Sequence, residues 1–132
     1  MHLVYHINEA LEPAEVADLY ADSGLNRPVD DLERIGKMLD QANLIITARD
    51  GAKLVGISRS LTDFSYCCYL SDLAVAKAYQ KKGIGQELIR RTQEYLGDEV
   101  MVLLLAAPQA RQYYPHIGFT KNDDAWFIPR TR

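Results

Sequence analysis

The chain has 132 residues, 48% hydrophobic and 25% charged, with a net charge of −3. These are the proportions of one ordinary globular domain spanning residues 1–132, with a folded surface of about 7,000 Å² and roughly two-thirds of the chain's surface buried. They exclude a disordered chain, a disulfide-stapled miniprotein and a repeat array, and no apolar run reaches the ~20 residues that cross a bilayer.

The elements follow in chain order. Leu3, Tyr5 and Ile7 alternate with polar residues and predict a first strand. Pro13 suits a first helical position, and Val16, Leu19 and Tyr20 form an apolar stripe that ends at Gly24. Leu32, Ile35, Leu39 and Ala42 predict a second helix after Pro28. Leu44–Arg49 and Lys53–Thr62 flank Asp50-Gly51, a strong hairpin signal. Tyr66–Val75 reads as the next strand. Ile84, Leu88, Thr92, Tyr95 and Leu96 then mark a helix ending at Gly97. Val100–Ala107 is a continuous apolar run, which predicts a central strand covered on both faces. Ala110, Tyr113, Tyr114 and Ile117 fit a last short helix closed by Gly118. Phe119–Thr120 and Trp126–Ile128 supply short final strands. The expected fold is α/β (α+β): a mixed sheet of six to seven strands, with about four helices on both faces.

Two features point to a ligand. Between Lys77 and Arg91, five basic residues (Lys77, Lys81, Lys82, Arg90, Arg91) face one acidic residue, Glu87; this local +4 sits in a chain whose remainder carries −7. Within it, Gln80-Lys81-Lys82-Gly83-Ile84-Gly85 joins a strand to a helix. Glycines let a ligand approach the backbone, and the first N–H groups of a helix have no intrahelical partner and favour phosphate. A P-loop is excluded, since no Gly-Lys-Ser/Thr follows. A dinucleotide fingerprint is excluded because Leu88 stands where Gly or Ala is required.

In that context LSDLAVAKAYQKKGIGQELI resembles the signature segment of the GNAT superfamily, the acyl-CoA-dependent N-acetyltransferases. The family pattern is a strand ending in a Leu-x-Val-like triplet, about five residues, then Gln/Arg-x-x-Gly-x-Gly/Ala and a helix. Gln80, Gly83 and Gly85 fill its defining positions. The second signature, Tyr-x-x-x-Gly-Phe, is matched by Tyr114–Phe119, and DGAKLVGIS looks like the family's second hairpin strand. The resemblance covers essentially the whole chain.

It implies an acyltransferase that moves acetyl from acetyl-CoA to a primary amine of a small molecule or peptide by direct attack in a ternary complex. The alternative is a catalytically silent acyl-CoA-binding or regulatory module. Leu73, Ala74 and Val75 would offer backbone groups to the pantetheine arm in a cleft between splayed strands. Gln80 belongs to the same cofactor segment, and Lys81, Lys82, Gly83, Ile84 and Gly85 would cradle the diphosphate.

Tyr114 matches the family's general acid; with a reference pKa of about 10 against roughly 8.5 for a thiol, it is expected to hydrogen-bond the leaving thiolate. The base is open. Tyr69 stands near the place where some members carry Glu. Asp72 is the carboxylate candidate on that strand, although alternation turns it away from Tyr69, Ser71 and Leu73, and it could equally bridge to a neighbouring strand. His116 and a water relay are the other options. Ala107 replaces the Asn that many members have at the end of the following strand, so that contact is either lost or supplied by Gln109 or Arg111.

Glu15, Asp18, Asp22, Asp30, Asp31 and Glu33 lie in the first two helices, on the family's acceptor side; they are either solvated faces or a lure for a cationic amine. His2 and His6 lack further ligands at metal spacing, so no metal is expected. The acidic charge argues against nucleic acid, and nothing predicts a membrane partner. Adjacent Cys67 and Cys68 cannot bridge each other on a strand, and the N-terminus lacks the features of a signal peptide, so a reducing, cytoplasmic location is expected. Family members are often dimers, which leaves a homodimer open.

Overall fold

The computed structural model describes residues 1–132, apart from the side chain of Gln109. Five strands form one sheet in the order β1 (Leu3–Ile7), β2 (Leu44–Asp50), β3 (Lys53–Thr62), β4 (Cys67–Val75) and β5 (Met101–Leu103). The first three pairings are antiparallel and β4–β5 is parallel. Three helices accompany it: α1 (Pro13–Ser23), α2 (Leu32–Gln41) and α3 (Ile84–Leu96).

Helices cover both faces. Ser58 on β3 meets Thr92 on α3 at 3.3 Å, while its neighbour Arg59 reaches the carbonyl of Met38 on α2 at 3.2 Å. Successive residues of a strand point to opposite sides, so α3 lies on one face and α1 with α2 on the other. The core joins Val16, Leu19 and Tyr20 of α1, Ile35 of α2, Leu44–Ile46, Val55 and Ile57 of the sheet, and Ile84 and Leu88 of α3.

The central strand is β3, not Val100–Ala107. Its residues Leu54–Ser60 are buried, yet Gly56, Ser58 and Ser60 hide it from any search for apolar runs. The glycine has a packing reason: a Cβ at Gly56 would stand 3.0 Å from Ile84 Cγ2 and 3.2 Å from Leu88 Cδ1. Small residues let α3 settle close to the sheet.

Three expectations at the C-terminal end are corrected. Only Met101–Leu103 of the apolar run pairs, and it forms an edge, with Met101 57% and Leu105 54% exposed. The expected sixth and seventh strands do not form. Phe119–Thr120 and Trp126–Ile128 are too short for ladder bonds to offset the entropy of ordering them, and Trp126 and Ile128 are 93% and 97% exposed. The surface, 8815 Å², accordingly exceeds the value expected for this mass. The last helix is two 3-10 turns, Pro108–Ala110 and Tyr114–Ile117; Pro115 has no N–H to continue an α-helical ladder. Among the described residues no helix is long and apolar enough to cross a membrane.

Candidate active site

The site begins with a defect in the sheet. Arg59 pairs with Asp72 but the adjacent Ser60 pairs with Leu70, so Ser71 is an extra residue on β4. Such a bulge bends the strand. β5 pairs with β4 from Cys67↔Met101 as far as Tyr69↔Leu103; beyond that pair the two strands part.

The bulge also switches which edge each residue serves. The N–H of Ala76 donates to the carbonyl of Val55 at 2.8 Å. By antiparallel alternation, Ala74 and Asp72 therefore turn their backbone groups to β3, and Ser71, Leu73 and Val75 turn theirs to the gap. Of the expected Leu73–Val75 triplet, Leu73 and Val75 thus turn their backbone groups to the gap, while Ala74 lines it without doing so. The Ser71 carbonyl accepts from Arg27 Nη2 at 2.7 Å, and the Val75 carbonyl from Gln80 Nε2 at 2.9 Å. Leu73 between them is the residue left free to bond as a missing strand would.

The gap is a cleft of about 480 Å³, with Leu70, Ser71, Leu73, Ala74 and Val75 on one wall and Leu104, Leu105, Ala107, Tyr113 and Tyr114 on the other. Its lower end is the start of α3. The first intrahelical bond there runs from Glu87 N–H to the Gly83 carbonyl, 3.0 Å, so the amides of Ile84, Gly85 and Gln86 precede the ladder, and no side chain caps them. Lys81 (φ 63°) and Gly83 (φ 85°) are both left-handed, which folds the loop back and brings successive amides to its mouth. A Cβ on Gly85 would lie 3.3 Å from the Tyr113 hydroxyl, so this glycine keeps the wall open beside the aromatic pair.

The loop is staked at three points that the sequence does not announce. Gln80 also donates to the Ser23 carbonyl at 3.3 Å, Tyr79 donates to Asp50 at 2.6 Å, and Asp22 accepts the Lys77 amide at 2.8 Å. Gln80 is thereby a brace of the loop, with its amide nitrogen spent on carbonyls. Ile84 buries its side chain and offers only its N–H. The basic island is smaller than its count, since Arg90 and Arg91 pair with Glu87, whose pKa they hold at about 2, and Arg90 also with Glu94. Lys77, Lys81 and Lys82 form no ion pair among the described residues.

Tyr114 lines the cleft, in edge-to-face contact with Tyr113 and Phe119, each at 5.4 Å. Burial, then the neighbouring Tyr113, push its pKa upward; the hydroxyl is a proton donor throughout the neutral range.

Asp72 is corrected as a base. It is fully buried on the α1–α2 face and does not line the cleft. Its Oδ1 accepts from Arg27 Nε at 2.6 Å and Ser71 Oγ at 3.1 Å; its Oδ2 accepts from Arg59 Nε at 2.5 Å and the Tyr20 hydroxyl at 2.7 Å. Burial alone would raise its pKa, but Arg59, Arg27 and Tyr20 outweigh it and the carboxyl lies below its ordinary value. A base needs a free lone pair and a pKa near the working pH; Asp72 has neither. It is the cross-strand bridge to Arg59 that alternation allows.

The acidic residues of the first helices also have structural duties. Glu15 pairs with Arg49 and accepts the Glu12 amide, Asp22 holds Lys77, and Asp31 caps α2 through the Arg34 amide. None of the six lines the cleft. His116 is exposed and likewise absent from it. The Ala107 replacement cannot be traced to Gln109, whose side chain lies outside the described residues; Arg111 is exposed.

A parted pair of parallel strands above an uncapped, glycine-flanked helix start is accompanied by a direct match: the model of the acetyltransferase (GNAT) domain covers residues 16–127. The chain belongs to the GNAT acetyltransferase family. This GNAT domain is 29% identical, over 73 residues, to the uncharacterized N-acetyltransferase ycf52 of Gracilaria tenuistipitata var. liui; the match takes in 54% of this chain and 40% of that relative, so the chain corresponds to less than half the relative's length. Among solved structures, it superposes on a protein of unknown function from meticillin-resistant Staphylococcus aureus, classed as a probable acetyltransferase, with a TM-score of 0.83 at 21% identity, covering 98% of this chain and 100% of the other. The aminoglycoside N-acetyltransferase AAC(6')-Iy in complex with CoA gives a TM-score of 0.74 at 14% identity, covering 99% and 96%. At these identities the structures share the GNAT fold.

Proposed function

We propose that this GNAT domain transfers the acetyl group of acetyl-CoA to a primary amine in a ternary complex. The observation that carries the reading is the continuous gap from the free amides of Ile84, Gly85 and Gln86 to the splay at Ser71. It suits a long thiol ester with a diphosphate at one end. The amides, the positive end of α3, Lys81 and Lys82 favour the diphosphate. Leu73, presenting unpaired backbone groups, suits the amide-bearing arm as an added strand would.

The amine nitrogen attacks the carbonyl carbon; the C–N bond forms, the C–S bond breaks, and the thiolate leaves. Tyr114, which lines the cleft, is the donor this reading assigns to that thiolate. An alkyl amine is neutral in only roughly one part in a thousand at pH 7, so its proton must be drawn off. With Asp72 saturated and no carboxylate or histidine lining the cleft among the described residues, water is the carrier this reading requires. That same lack of a base is the observation favouring the second reading, a silent acyl-CoA-binding module.

Calorimetry with coenzyme A and a screen of amines for thiol release from acetyl-CoA test both. Binding with amine-dependent thiol release supports transfer. Binding without release from any amine supports the silent module. No heat with coenzyme A overturns both.

A further inference from the structure

The upper end of the cleft has its own electrostatic character. Arg27, in the loop between α1 and α2, lies against β4 at Ser71, four residues or about 13 Å along the strand from Val75 and the anion-binding loop. It therefore serves the acyl and acceptor end of the gap, not the diphosphate end. Its Nε is paired with Asp72, but that single carboxylate is shared with Arg59 at 2.5 Å. Two guanidinium groups against one carboxylate leave one positive charge, and Tyr20, whose pKa burial and Asp72 raise, adds no negative one.

Of the three cluster members that carry charge, Arg59 and Asp72 are buried, while Arg27 has a side chain 26% exposed and lines the cleft. The surplus charge is therefore presented through Arg27. It donates from Nε to Asp72, from Nη1 to the Asn26 carbonyl at 2.7 Å and from Nη2 to the Ser71 carbonyl. A guanidinium has five N–H donors, so one on each terminal nitrogen makes no bond among the described residues. Among the described residues no carboxylate lines the cleft to oppose them.

We propose that Arg27 determines acceptor specificity by binding a carboxylate on the acceptor, so that the preferred substrates are amino acids and not polyamines or polycationic amino-sugars. A guanidinium held in place by Asp72, Ser71 and Asn26 has lost its rotational freedom before the substrate arrives, and a carboxylate accepts its two remaining donors with charge assistance. A dication in the same place meets an uncompensated positive charge. This inference rests on the acetyl-transfer reading above.

The test compares lysine with cadaverine, which is lysine without its carboxylate, as acceptors in steady-state thiol release. For the wild type, kcat/KM for lysine is expected to exceed that for cadaverine by at least about tenfold, since a charge-assisted hydrogen bond is worth roughly tenfold to a hundredfold. Arg27→Gln lowers the lysine-to-cadaverine ratio by at least tenfold, with the change in KM for lysine larger than that in kcat; Arg27→Lys recovers part of it. Calorimetry with coenzyme A on the same variants shows that the cofactor end is intact. If wild type accepts cadaverine as well as lysine, or Arg27→Gln lowers both substrates in parallel, the specificity role is overturned while acetyl transfer stands. If coenzyme A does not bind, or binds with no thiol release from any amine, transfer itself fails and takes this inference with it.

Discussion

Asp72→Asn is the substitution that most directly probes how the upper cleft is held together. The change is nearly isosteric, so it leaves no cavity. It does convert one of two oxygens into an NH₂ donor, and each oxygen now accepts two bonds: Arg27 and Ser71 on one, Arg59 and Tyr20 on the other. Whichever side the amide nitrogen takes, two donors face a donor. Arg59, 7% exposed, also loses its counter-charge. Removing one partner of a buried ion pair costs about 3–5 kcal/mol, a large share of the ~5–15 kcal/mol that holds a domain folded. At roughly 4 °C per kcal/mol for a chain of this size, Tm falls by about 10–20 °C. The pH dependence gives an independent reading. A carboxyl whose folded pKa lies below its unfolded value of about 3.9 contributes stability that is fully present above that value and is lost as pH falls through the folded pKa. Urea unfolding of the wild type between pH 6 and 3 therefore shows an acid limb that is shallower in Asp72→Asn. A variant within about 1 kcal/mol of wild type at pH 7, with an unchanged acid limb, refutes the ion-pair account of Asp72.

Other perturbations address the remaining parts. Tyr114→Phe lowers kcat by roughly 10²–10⁴ if the hydroxyl supports the leaving thiolate, with coenzyme A affinity by calorimetry nearly kept; because burial and Tyr113 raise its pKa, any fall in the wild-type rate from tyrosine deprotonation comes at higher pH than for an ordinary tyrosine. Gly83→Glu abolishes coenzyme A binding by calorimetry: φ is +85° there, a conformation costing other residues about 1–2 kcal/mol, and the new carboxylate stands at the anion mouth. Gly56→Ala drives a methyl to 3.0 Å from Ile84 and destabilises by about 1–3 kcal/mol in urea unfolding, loosening α3 from the sheet and weakening coenzyme A binding with it.

Local chemistry made much of this protein legible in its sequence. Pro13 and Gly24 bracket α1, Gly51 turns the β2–β3 hairpin, and Gly83 and Gly97 bracket α3. Each is a backbone constraint carried by one residue and its immediate neighbours, so no partner need be known to read it. The same holds for the anion-binding loop, where glycines, lysines and a helix start are contiguous. What tertiary structure alone decided involves residues far apart in the chain. Asp72 is open in sequence between a base and a cross-strand bridge, and the choice falls only when Arg27, 45 residues away, and Tyr20, 52 residues away, close on it. Of the acidic residues of the first helices, open in sequence between solvated faces and a lure for a cationic amine, Glu15, Asp22 and Asp31 are claimed by Arg49 and by helix-start amides. Val100–Ala107 reads as a core strand because composition reports apolarity, whereas sheet order reports who stands beside it. The bulge at Ser71, which opens the cleft, has no sequence signature, since it is a count of residues on one strand against its neighbour. Periodicity and turn chemistry are properties of single segments. Charge compensation, strand order and register are properties of pairs, and only folding brings the pairs together.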